Sequence, residues 1–170
     1  MKFSIRNGVP LQGVLTYDES EYGFSFSASS DEPLSERLGS EGVASVLIGT
    51  LQLEVGIESR EVLFAWGYFP NVRGVTAELG APDFIAGRVF ISSDHAFEPG
   101  VSFEVPGDGL RVSYDPSSGW VALRLKDALD AKFVQIASGV VLGIDTGYLV
   151  SVWLHPVSPD EARSDRRYLR

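Results

Sequence analysis

No cysteine occurs among the 170 residues. Disulfides and thiolate metal sites are excluded, and the chain fits a cytoplasmic protein. Histidine is scarce, with only His95 and His155. Neither belongs to a metal-ligand pattern such as His-x-x-x-His, so no metal is expected. Long apolar runs are missing too. The longest largely apolar, uncharged stretch is residues 43–53, whereas a membrane helix needs about 20 such residues. The opening Met1-Lys2-Phe3-Ser4-Ile5-Arg6-Asn7 has no continuous apolar segment, so neither a signal peptide nor a membrane span is expected. Serine nucleophile elbows and glycine-rich phosphate loops are absent; the Gly-x-Gly at 107–109 leads into a strand pattern rather than a helix. No cofactor is expected.

What is present is an apolar fraction of 44% in a chain of single-domain length. A domain of this size buries roughly 70% of the surface its unfolded chain exposes, enough for a real core. The dominant periodicity is two. Phe24 and Phe26 alternate with serines. Leu51, Leu53, Val55 and Ile57 alternate with Gln52, Glu54 and Gly56. Residues 101–105 and 110–114 follow the same rule. Successive strand side chains face opposite sides, so each run presents one face to a core and one to water.

Turn residues divide these runs. Pro106-Gly107-Asp108-Gly109 and Pro116-Ser117-Ser118-Gly119 make residues 101–125 read as a three-stranded meander. Residues 140–144 and 148–154 flank Asp145-Thr146-Gly147 as a hairpin, and their apolar character on both faces predicts a central position in the sheet. Helix signals are few. Asp31 is placed to cap a short helix carrying Leu34 and Leu38 and ending at Gly39. One helical turn over 126–132 and a helical or frayed tail over 160–170 are the other candidates. The expected fold is mainly β: an antiparallel barrel or a two-layer sandwich of roughly eight to ten strands with one or two short helices.

Gly143-Ile144-Asp145-Thr146-Gly147 resembles the Asp-Thr-Gly signature of the aspartic proteases. In that family the aspartate shares a proton with a second aspartate to activate water. Here Tyr148 follows the glycine, where the family has a small or hydroxyl residue. Only 25 residues follow Asp145, and no second copy of the motif exists. Aspartate and glycine are also preferred hairpin-turn residues, and Asp145 is read as structural. His95, after Ser92-Ser93, reads as a turn residue, and His155 as the structural end of a strand.

Net charge is −9 and unevenly placed. Asp18, Glu19, Glu21, Asp31, Glu32, Glu36 and Glu41 stand against Arg37 alone, seven acids minus one base or −6; the rest of the chain carries −9 minus −6, or −3. Such a surface repels phosphate, so nucleic acid is not an expected partner. It suits a basic protein, with Asp18, Glu19 and Glu21 as binding residues. The most unusual local sequence is Phe64-Ala65-Trp66-Gly67-Tyr68-Phe69-Pro70-Asn71. Phe64, Trp66 and Tyr68 share one strand face, which reads either as core or, with Trp66, Tyr68 and Phe69, as the rim of a pocket or interface.

Small size, acidity, lack of cysteine and a β-rich pattern together resemble, in type, the bacterial immunity proteins, which neutralise toxins by binding them. That resemblance implies an acidic binding protein with a basic partner. The rival readings are a small-molecule binder or enzyme using a β-barrel cavity, and a homo-oligomer subunit. A binding role is favoured over an enzymatic one.

Overall fold

The computed structural model describes residues 1–70, 72, 74–106, 109–158 and 161–162. Among these it contains fourteen strands and one helix, so the chain is mainly β. The count exceeds the expected eight to ten because several strands are very short, β7 (Phe84–Ala86) and β9 (Ser102–Glu104) having three residues each. No helix among the described residues is long and apolar enough to cross a membrane.

The first sheet is curled, in the order β1 (Lys2–Arg6), β8 (Arg88–Ser92), β6 (Glu61–Tyr68), β5 (Leu51–Gly56), β4 (Val43–Ile48), β9. The hairpin of β2 (Gly13–Asp18) and β3 (Gly23–Ala28) branches from it where Gly23 and Phe24 pair with Tyr68 and Gly67. The second sheet runs β10 (Arg111–Tyr114), β11 (Val121–Arg124), β14 (Tyr148–Leu154), β13 (Val140–Asp145), β12 (Lys132–Ala137), β7. The doubly apolar strands β13 and β14 lie centrally, as their lack of a polar face requires.

Two sequence expectations are corrected here. Residues 101–125 are not a meander, since β9 pairs in parallel with β4 of the first sheet while β10 and β11 pair in the second. Backbone bonds from Ser45 N–H to the Val101 carbonyl (3.2 Å) and from Val105 N–H to the Leu47 carbonyl (3.0 Å) fix that crossover. Alternation showed the strand but not its partner. The turn between β9 and β10 lies partly outside the described residues. Residues 126–131 are bends and irregular backbone rather than a helical turn, and Lys132 opens β12. The tail from 160 onwards falls almost wholly outside the described residues.

The sheets enclose one apolar core. Val46, Leu53, Val62 and Val89 from the first sheet meet Leu123, Val134, Leu142 and Val152 from the second, all essentially inaccessible. The chain passes between sheets at Gly87, which separates β7 from β8. A Cβ there would lie 2.9 Å from Val134 Cγ1 and 3.1 Å from the Arg6 carbonyl, so only glycine fits. The β2–β3 hairpin is stitched to the second sheet by Leu11 N–H donating to Ile136 O (2.8 Å) and Val157 N–H to Leu15 O (2.9 Å). A smaller apolar cluster of Leu79, Ala122, Val141 and Trp153 lies on the other side of the second sheet.

The helix α1 (Asp31–Leu38) starts one residue earlier than a cap at Asp31 would give, with Ser30 in the cap position. Its Arg37 turns inward. There it meets Glu61, whose side chain is 1% exposed, at 3.4 Å, and donates to the Val9 carbonyl at 2.7 Å. Arg88 binds the same carboxylate through both oxygens, with Nε to Oε1 at 2.7 Å and Nη2 to Oε2. One buried carboxylate thus ties the helix to the starts of β6 and β8.

Candidate functional site

The β2–β3 tip is built by Asp18. Its Oδ1 accepts from Ser20 N–H (2.8 Å), Ser20 Oγ (2.6 Å) and Glu21 N–H (3.2 Å). These bonds, the serine hydroxyl's first, hold the carboxyl below its ordinary pKa. The same device recurs at the β10–β11 turn. Asp115 Oδ1 accepts from Ser117 N–H (2.8 Å) and Ser117 Oγ (2.6 Å), while Oδ2 accepts from Leu79 N–H (2.8 Å). The Ser117 hydroxyl, followed by the Leu79 amide, draws this buried carboxyl down as well. Asp-x-Ser is a local side-chain-to-backbone turn former, and both copies act so.

A groove opens between these two turns. Its central cavity, about 410 Å³, is lined by Tyr17, Asp18, Glu19 and Ser20 on the hairpin side and by Tyr114, Gly119 and Val121 opposite. Val157 lies at the junction, bridged to Thr16. A second cavity of about 240 Å³ continues past Tyr17, Glu19 and Val72 to Tyr22 and Pro70. A third, about 560 Å³, extends the other way past Gly119, Pro156 and Val157 to His155 and Glu161. The Tyr17 hydroxyl donates to the Phe69 carbonyl (3.0 Å), which pins the shared wall. The lining carries Asp18, Glu19 and Glu161 and, among the described residues, no lysine or arginine. His155 is held at one end, its Nε2 2.9 Å from the Ser118 carbonyl oxygen and its ring 4.8 Å from Trp120.

The acidic stretch does not form one face. Asp18, Glu19 and Glu21 sit at the hairpin tip, whereas Asp31, Glu32 and Glu36 ride on α1, beyond the far end of β3. Six strand residues separate those ends by about 20 Å. Arg37 is occupied with Glu61. Glu19 lines the groove, Asp18 shapes it, and Glu21 is exposed on the tip beside it.

The aromatic segment divides as strand alternation demands. Phe64, Trp66 and Tyr68 share the outer face of β6, so the core reading does not hold for Trp66 (36% exposed) or Tyr68 (54%). Phe69 turns inward at 4% exposure and packs against Phe24, leaving it unable to touch a partner. Trp66 donates its indole N–H to Glu54 at 2.7 Å. Burial pushes that carboxyl above its ordinary pKa, against the opposing pull of bonds from Trp66 and Ser45. Tyr68 reaches the hairpin tip, where Tyr22 packs edge to face on it. Pairing of Gly23 with Tyr68, and a bond from Phe69 N–H to Tyr22 O (2.7 Å), fasten the two segments together.

The acids of the hairpin tip and the aromatic segment lie more than forty residues apart in the chain; the fold makes them neighbours at one end of the groove. The opposite wall, Tyr114 and the Asp115 turn, was not singled out from the sequence. The repeated Asp-x-Ser spacing was the available signal. Asp145 lies at the end of β13, paired with Tyr148 across a two-residue turn. His95 lies in an exposed bend, its N–H bonded to Ser93 Oγ. Comparison of the chain with family models and with curated proteins gives no match.

Proposed function

We propose that this is a binding protein whose groove takes a basic segment of a partner protein. The observation that carries the reading is the convergence of the acidic hairpin tip with the exposed tyrosines Tyr22 and Tyr68 at the groove's end. Carboxylates favour an arginine or lysine electrostatically, and tyrosine faces hold the same cation by its π interaction while contributing apolar area. Neutralisation of a basic toxin, as in immunity proteins, is one partnership of this kind. The space between the sheets is packed with apolar side chains, which favours the surface groove over an interior ligand cavity.

A capped hexa-arginine peptide serves as the test ligand. Wild type is expected to bind it with an affinity that falls as salt rises, because exposed charges are screened beyond about 10 Å at 0.1 M. Glu19→Gln with Glu21→Gln should weaken binding about tenfold, or 1.4 kcal/mol. Equal affinity of wild type and variant would refute the reading.

A further inference from the structure

A second pocket lies away from the groove and shares no residue with it. Phe3 and Leu149, both nearly inaccessible, form its floor; Met1, Val105 and Pro106 form its walls, and Lys126 and Tyr148 its rim. Its volume is about 170 Å³. The chain contains three lysines, Lys2, Lys126 and Lys132; Lys126 lines the pocket, and Lys2 lies beside it against the rim residue Tyr148. The Lys2 ammonium sits 3.5 Å from the centroid of the Tyr148 ring, and that of Lys126 sits 5.5 Å from it. Neither forms an ion pair among the described residues, and none of the described lining residues is acidic. On a chain of charge −9 this is a local reversal of sign.

We propose that this pocket binds a small apolar monocarboxylate, with the hydrocarbon body against Phe3 and Leu149 and the carboxylate at Lys126 and Lys2. The size argues for one ring or a short branched chain, since apolar cavities of ~150 Å³ hold benzene. The apolar floor disfavours a bare inorganic anion, which would lose hydration there without replacement. The paired ammoniums disfavour a neutral body of the same shape. The Tyr148 hydroxyl, drawn below its ordinary pKa first by hydrogen bonding to Lys2 and then by the charges of both lysines, is a good donor to a carboxylate oxygen.

Benzoate, benzyl alcohol and inorganic phosphate separate these chemistries. The full chain would be titrated with each, followed by amide and side-chain NMR shifts and by calorimetry. Benzoate should saturate, with shifts centred on Phe3, Tyr148 and Leu149. Benzyl alcohol and phosphate should bind at least about tenfold more weakly. Lys126→Met, at an exposed position, should lower benzoate affinity about tenfold and leave benzyl alcohol unchanged. Equal binding of benzoate and benzyl alcohol, equal binding of phosphate, an unaffected Lys126→Met variant, or shifts centred elsewhere would each overturn the proposal.

Discussion

Tyr22 and Tyr68 meet edge to face, with ring centroids 6.4 Å apart and planes at 82°. Tyr22 belongs to the turn that carries Glu19 and Glu21, and Tyr68 ends the strand that presents Trp66. This one contact joins the chain's acidic tip to its exposed aromatics. Tyr22 adopts a left-handed backbone (φ 52°), which a bulky residue takes only when its surroundings impose it.

The buried ion triad gives the first stability prediction. Glu61→Gln leaves the Arg37 and Arg88 guanidiniums without their counter-charge. Removing one partner of a fully buried pair costs about 3 kcal/mol or more; with the Arg37 and Arg88 side chains 15% and 34% exposed, a loss of about 1–3 kcal/mol is expected. Urea unfolding should show that loss. Replacing all three together with apolar residues of similar volume (Arg37→Met, Glu61→Leu, Arg88→Met) should restore much of it. A Glu61→Gln loss well under 1 kcal/mol would mean the arginines are hydrated in solution.

Glu54 gives the pH prediction. Its folded pKa is raised, so the folded state holds a proton that the unfolded state releases. Stability from this group is therefore full below the unfolded value near ~4.3 and is lost as pH rises through the higher folded value. Glu54→Gln keeps an acceptor for the Trp66 indole and removes the ionisation. The variant should be more stable than wild type at pH 7, with the advantage shrinking as the pH approaches about 4. Urea melts followed by tryptophan fluorescence at both pH values measure this; an advantage independent of pH would contradict it.

Thr146 tests the hairpin reading of the Asp-Thr-Gly segment. Thr146 (φ 48°) and Gly147 (φ 82°) form a two-residue turn with positive φ at both positions, a geometry that favours Asn-Gly. A β-branched residue is strained there. Thr146→Asn should stabilise the protein by about 1 kcal/mol and raise Tm by about 2–4 °C. Destabilisation would indicate that the threonine side chain makes a compensating contact.

These sites also mark what the sequence made legible. The β13–β14 hairpin was readable because its turn residues and its alternation agree at short range. Lys2–Arg6 and Arg88–Ser92 were not, because their mutual pairing joins segments nearly ninety residues apart and each run is short. Alternation placed Phe64, Trp66 and Tyr68 on one face but could not say that this face looks outward. That follows from β6 continuing past β8 to meet β3, a tertiary fact. The groove was half legible: the acids and the tyrosines were visible as residue types. Their adjacency depends on two β-bridges, Gly23 with Tyr68 and Phe24 with Gly67, that no local pattern encodes. Arg37 looked like the lone base of an acidic surface because its partner Glu61 lies 24 residues away.

The most direct test is to map where a cationic chain lands. Hexa-arginine titrated into isotope-labelled protein at physiological salt should shift the resonances of Tyr17, Glu19, Tyr22 and Tyr68 first and saturably. Asp31, Glu32 and Glu36 on α1 should respond weakly, although that helix carries as many acids as the hairpin tip. Tyr22→Ala with Tyr68→Ala should weaken binding while leaving the acids in place. Shifts centred on α1, or spread over every exposed carboxylate alike, would show attraction by net charge alone and contradict a built acidic–aromatic groove.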